Sequence, residues 1–274
     1  MLFLAAGVSQ QDVNAAIDHL GIRHLTTPPI VDGLVLHEAQ LASQVPQSPV
    51  PLWIGGRFIP YNGPGTRYFE GMMNDSWRYS SVIECEAAAQ AAIAQVPPSR
   101  HAGWYLTEEG DLTAMGANEG LRQRYEWYLI DLMRRLFLIR PLPFAWSPWA
   151  TGAVNAPALS AYRRLVTGVE SWLASQYGMA VDLRIHFQDG VGAGHHPPSR
   201  AAAWGAALRN QTTTIPVAMN LEHFTRVGSV FSPAPVSSIA SRTQLYGQQG
   251  LPIGACWELR FWYPFVGYAA NHVE

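Results

Sequence analysis

The feature that most constrains this chain is a regular alternation of strand-like and helix-like segments from end to end. Runs such as "VPLWIGGRFI", "HAGWYLTEE", "VDLRIHFQDG" and "IPVAMNLEHF" are short, apolar and rich in β-formers, and each precedes a stretch of helical character. Strands joined through helices must run parallel, because only a crossover connection returns the chain to the same sheet edge. About eight such units in 274 residues predict a single (β/α)8 TIM barrel spanning residues 1–274. An open doubly wound sheet is the structural alternative. The one glycine-rich candidate for a dinucleotide loop, "DGVGAG", does not open a helix at the required spacing.

The helical segments carry their own boundaries. Around residues 118–138, Leu121, Tyr125, Tyr128, Leu129, Leu132 and Leu136 share one face, with Arg122, Arg124 and Arg135 off it. A helix from Pro157 to Tyr177 has proline in its first turn and Gly178 at its stop. Further helices are expected at "SQQDVNAAIDHLG", "LHEAQLASQ", "SSVIECEAAAQAAIAQV", "SRAAAWGAALRNQ" and "VSSIASRTQLYGQ". "MLFLAAG" lacks a basic leader region and reads as a first strand, "IRHLTTPPIV" as the second.

Charge narrows the chemistry. All 18 basic residues are arginine, so Schiff-base, pyridoxal-phosphate and P-loop chemistry, each of which needs a lysine, are excluded. A net charge of −2 gives no reason to expect a nucleic-acid partner, and no apolar stretch reaches membrane-spanning length. The expected setting is soluble and cytoplasmic, without a cofactor and with a small molecule or oligosaccharide as partner. Cys85 and Cys256 are expected to be buried thiols rather than a disulfide. Asp189, His186, His195, His196 and His223 match no metal-ligand spacing, and no metal is expected.

Strand periodicity then sorts side chains by direction. In "GWYLTEE", Trp104 and Leu106 form the apolar set, so Tyr105, Thr107 and Glu109 point inward and Glu108 points outward or into the loop. In "LRIHFQD", Arg184, His186 and Gln188 face inward and Asp189 begins the loop. In "VAMNLE" the inward set is Ala218, Asn220 and Glu222. Trp53 and Arg57 are expected inward from the third strand, Ser147 and Trp149 from the fifth, and Glu258 and Arg260 from the last. Polar inward positions gathered at the C-terminal ends of several strands mark the face where such folds place their active sites.

The stretches "GWYLTEE", "FAWSPWATG", "FQDGVGAG" and "MNLEHF", between about residues 100 and 225, resemble a bacterial family of glycosidase-like TIM barrels catalogued largely as a domain of unknown function. Its strand-4 motif ends in Pro-x-Glu; here Thr107 stands at the proline and Glu109 matches the glutamate. The arrangement is also similar to retaining glycosidases with an acid/base on strand 4 and a nucleophile on strand 7, although strand 4 here lacks their Asn-Glu pair. The resemblance implies Glu109 as acid/base and Glu222 as nucleophile. Glu108, Trp53, Arg57, Tyr105, Ser147, Trp149, His186, Gln188, Asp189, Asn220, Glu258 and Arg260 are the expected substrate-binding set. The alternatives are a non-glycosidic lyase, cyclase or isomerase, and an inactive barrel that binds sugar.

Overall fold

A computed structural model describes residues 2–4, 34–36, 51–55, 68–212, 214–228 and 230–257. Its central feature is a parallel sheet of six strands: β3 (Leu52–Gly55), β4 (His101–Leu106), β5 (Phe144–Trp146), β6 (Leu183–Gln188), β7 (Val217–Glu222) and β10 (Ile253–Trp257). These curve into an open half-barrel whose edges lie 11 Å apart. Two three-residue segments, β1 (Leu2–Leu4) and β2 (Leu34–Leu36), pair with each other and along those edges.

The described residues hold seven helices: α1 (Tyr68–Met73), α2 (Asp75–Gln95), α3 (Leu112–Ala117), α4 (Glu119–Ile139), α5 (Ala156–Tyr177), α6 (Pro198–Arg209) and α7 (Val236–Gln248). The expected (β/α)8 barrel is therefore corrected: a six-strand half-barrel with seven helices is what forms, and a full eight-strand barrel is not shown. The shortfall lies in the first two units. "IRHLTTPPIV" and the helical segments "SQQDVNAAIDHLG" and, past Leu36, "LHEAQLASQ" lie outside the described residues. The second strand occupies "LVL", beyond Pro28 and Pro29, neither of which can donate to a ladder.

Strand alternation holds through the sheet. Leu52, Ile54, Trp104, Leu106, Phe144, Trp146, Ile185, Phe187, Met219 and Leu221 pack outward against the helices in one buried cluster. The inner face is filled by Trp53, Tyr105, Ala145 and Ala255. Trp53 takes the room left by small residues: a Cβ added at Gly103 would sit 2.2 Å from its ring. Gly103→Ala should therefore force this ring to move, at a cost of about 1–3 kcal/mol, read as a lower denaturation midpoint. An unchanged midpoint would show that the ring has space to yield.

The helix ends follow local chemistry. Asn155 caps α5 by accepting from the Ala158 N–H, and Gly178 ends it in the left-handed conformation, φ 63°. In α4, Leu121, Tyr125, Tyr128, Leu129, Leu132 and Leu136 are buried as expected. Arg122 is buried as well, contrary to its polar-face position. It pairs with Glu119 and Glu126, and α5 approaches so closely that a Cβ on Gly168 would clash with the Glu126 carboxylate.

After β7 comes an element that the periodic reading omits. Phe224–Val227 and Val230–Pro233 form an antiparallel hairpin, β8–β9, with Gly228 at φ 61° in its two-residue connection.

Candidate active site

The sheet's C-terminal edge gathers one connected set of polar side chains. From β4, Tyr105 extends its hydroxyl to 3.5 Å from Oε1 of Glu109, three residues beyond the strand end. Gln188, last in β6, also hydrogen-bonds the Glu109 carboxylate and donates to the Ser147 carbonyl at 2.9 Å. Asn220 Nδ2 lies 3.5 Å from Ser147 Oγ, and the Asn220 Oδ1 acceptor, fully buried, has no partner among the described residues. Glu222, at the end of β7, accepts the Ala193 N–H at 2.7 Å through Oε2. Tyr105, Glu109, Ser147, Gln188, Asn220 and Glu222 thus come together as the alternation requires.

Burial sets the charge state of this group. It pushes the Glu109 carboxyl up to about 7, against hydrogen bonds from Gln188 and Tyr105 that favour the anion. Burial and then the neighbouring Asp189 charge push Glu222 up to about 8, with Glu109 adding to the repulsion and the Ala193 N–H and Arg242 opposing it. With Glu109 up to about 7 and Glu222 up to about 8, the two carboxyls together carry roughly one proton between those values. His186, one inward position below Gln188, is pushed down to about 3 by burial and by Arg184, so it is a neutral imidazole. Neither of its ring nitrogens has a hydrogen-bond partner among the described residues.

The glycine-rich stretch has a structural role that its failed dinucleotide spacing concealed. Gly190 turns at φ 63°, and its carbonyl accepts the N–H groups of both His195 and His196. Gly192 packs so tightly that a Cβ there would lie 2.2 Å from the Phe224 carbonyl oxygen and 3.0 Å from the Glu222 carboxylate. Only a residue without a side chain lets this loop present the Ala193 N–H to Glu222. The loop is fastened to the chain after β5: His196 Nε2 lies 2.9 Å from the Ala150 carbonyl oxygen, and His195 stacks on Trp149 at 5.4 Å and 26°. Half-buried Trp149 and exposed His195 form an aromatic step beside the polar cluster.

Four expectations are corrected or displaced. Glu108 is fully buried and its charge acts on Tyr128 of α4, which places it on the helix side, away from the cluster. Thr107, expected inward, lies 4.0 Å from Cys85 of α2, because alternation ends with the strand at Leu106. Trp53, 2% exposed, lies flat within the half-barrel under Arg184 instead of lining the mouth. Asp189 is fully buried, its carboxylate bonded to Arg242 at 2.7 Å and Tyr246 at 3.0 Å. Arg57, Glu258 and Arg260 lie outside the described residues.

Both cysteines are free and buried. No group of three or more His, Cys, Asp or Glu side chains could hold a metal ion among the described residues, and none of the described helices is long and apolar enough to cross a membrane.

The residues that sequence reasoning missed are Ala193, whose contribution is a backbone N–H, and Arg242 with Tyr246. The latter two carried a signal: Ile239, Arg242 and Tyr246 form the buried stripe of α7, and an arginine in such a stripe needs a buried partner.

The raised Glu222 makes a stability prediction. Its carboxyl holds a proton more tightly in the folded state, about 8, than at its ordinary value of 4.5. Its contribution to stability is therefore complete below pH 4.5 and is lost as pH rises through about 8. Glu222→Gln removes this loss, so its melting temperature should gain on the parent protein as pH rises through that window. An equal difference at pH 5 and pH 9 would contradict the burial argument.

The sequence matches no known family profile and no curated protein. In three dimensions the chain is similar to a Bacteroides thetaiotaomicron protein described as a "putative alpha-L-fucosidase", with a TM-score of 0.63 at 14% identity over 94% of this chain and 84% of that one. At that identity the likeness is one of fold alone.

Proposed function

We propose that this protein cleaves a glycosidic bond, with Glu109 as acid/base and Glu222 as nucleophile. One observation carries the reading: two glutamates, half-buried Glu109 beyond β4 and buried Glu222 at the end of β7, are each raised toward neutrality, and Glu109 adds to the repulsion on Glu222. Glycoside hydrolysis needs such a pair, one carboxyl protonated and one ionised, on either side of the scissile bond. The likeness to a protein described as a fucosidase supports a carbohydrate substrate.

In this reading the reactive form carries the single proton on Glu109, the less populated arrangement of a pair in which Glu222 holds its proton the more tightly. The Ala193 N–H favours the carboxylate of Glu222, because a backbone donor stabilises an acceptor-only group. Glu109 protonates the departing oxygen while Glu222 attacks the anomeric carbon, giving a glycosyl ester. Water then attacks that carbon, loses its proton to Glu109 and releases Glu222. This retaining course calls for a carboxyl separation of about 5–5.5 Å. Gln188, Asn220, Tyr105 and Ser147 would bind sugar hydroxyls, and the Trp149–His195 step would take a ring face. Hydrolysis of a panel of aryl glycosides that includes an α-L-fucoside tests the proposal.

A further inference from the structure

We infer that Asp189, Arg242 and Tyr246 are positioning residues: a buried clamp that fixes both backbone polar groups of Glu222 and thereby sets where its carboxylate points. The inference rests on the reading of Glu222 given above, but its test does not depend on turnover. Glu222 is the last residue of β7, where a strand end would be free to fray. Its N–H donates to Asp189 Oδ1 at 3.3 Å. Its carbonyl accepts from Arg242 Nη2 at 2.6 Å. Arg242 Nη1 donates to Asp189 Oδ2 at 2.7 Å, and the Tyr246 hydroxyl donates to the same oxygen at 3.0 Å. The Asp189 N–H in turn donates to the Asn220 carbonyl at 3.0 Å, tying β6 to β7 just below.

The guanidinium is what makes this possible. Its planar fork reaches a carboxylate and a carbonyl at once, which a point-charge ammonium would not do with fixed geometry. A buried ion pair is seldom needed for stability, since apolar residues of like volume serve as well. What apolar residues could not do is hold the N–H and the C=O of one glutamate. With the Ala193 N–H on the carboxylate itself, Glu222 is fixed from behind and in front.

The clamp also sets the electrostatic surroundings. Among the described residues, the groups acting on the Glu222 carboxyl are Asp189 from the end of β6, Arg242 from α7, the Ala193 N–H and Glu109 beyond β4. Asp189 and Arg242 act in opposite directions, so neutralising each in turn has opposite predicted effects.

The experiment is a carbon-13 titration of side-chain-labelled glutamate in the full chain, with the Glu222 signal assigned by its loss in Glu222→Gln. Asp189→Asn should move the Glu222 midpoint down by roughly one pH unit, and Arg242→Gln should move it up over the range in which Asp189 stays ionised. A charge that merely lies nearby would also move the midpoint, so the amide of Glu222 should in the same variants exchange with deuterium faster relative to Leu221; unchanged exchange in both folded variants overturns the inference. Should both fail to fold, Tyr246→Phe keeps the ion pair and loosens Asp189 alone. Deuterium exchange at the Glu222 amide should then quicken relative to Leu221, and unchanged exchange overturns the inference. Quickened exchange at the Glu222 amide in variants of a protein that hydrolyses no glycoside would uphold the clamp and sink the glycosidase reading.

Discussion

Glu109→Gln should lower kcat/KM for alkyl glycosides by about 10²–10⁴-fold, the range a positioned general acid contributes. The loss should be far smaller for dinitrophenyl glycosides, whose leaving groups depart without a proton. The argument begins with geometry: Glu109 turns back to Tyr105 and Gln188, while Glu108 is buried on the helix side. An amide keeps the shape of the protonated carboxyl but cannot give up a proton. The pH dependence of wild-type turnover should peak between about 7 and 8, where the pair carries a single proton. The limb set by Glu109 should vanish in the variant. Glu108→Gln should leave turnover within a few-fold of wild type, because its carboxylate faces away from the cluster. If Glu108→Gln is the inactive variant, the directions assigned at the end of β4 are wrong.

Arg242→Met should destabilise the protein by about 3–5 kcal/mol, the cost of stranding one partner of a buried ion pair. Arg242 is 1% exposed and Asp189 0%, so no solvent can replace the lost guanidinium. Burial already pushes the Asp189 carboxyl up, and Arg242, the Val191 and Glu222 N–H groups and the Tyr246 hydroxyl hold it against that pressure. Without Arg242, Asp189 must either protonate or remain an unpaired buried anion. The Glu222 carbonyl would lose its donor at the same time. Adding Asp189→Leu to Arg242→Met removes the stranded charge, so the double variant should lose less than the sum of the single losses. Chemical denaturation of the three variants measures this, and additive losses would show that the two side chains are not coupled.

How much of this was legible in the sequence depends on what kind of contact fixes each residue. Period-two alternation gave the directions of Tyr105, His186, Gln188, Asn220 and Glu222, because a strand packed on both faces has no freedom to turn a side chain over; Glu109 lies past the end of β4, where that constraint no longer holds. The ends of α5 were legible for a similar local reason: Pro157 and Gly178 satisfy needs of the backbone itself. The failures at Asp189 and Trp53 involve partners distant in sequence. Asp189 reads as an ordinary Asp-Gly turn until Arg242, 53 residues later, is seen to bind it. Trp53 was expected at the mouth because of its strand parity, but parity does not give depth. Its depth is set by the space over Gly103. The glycine loop was measured against the wrong template: its glycines are there for close approach to Glu222 and Phe224, not for a pyrophosphate. The eight-unit count rested in part on "IRHLTTPPIV" and two helical segments that lie outside the described residues. The hairpin of β8 and β9 could have been found, since "FTRVGSVFSP" places Gly-Ser between two β-forming runs.

The central claim is that Glu109 and Glu222 flank one glycosidic bond, and turnover tests it most directly. Wild-type protein, Glu109→Gln and Glu222→Gln should be assayed side by side on aryl glycosides, α-L-fucoside among them. The account predicts hydrolysis of at least one sugar by the wild type. It also predicts loss of that activity in Glu222→Gln for every leaving group, because no acid can replace a missing nucleophile. Wild-type protein that hydrolyses and binds none of the panel, or Glu222→Gln that retains full turnover, would contradict it.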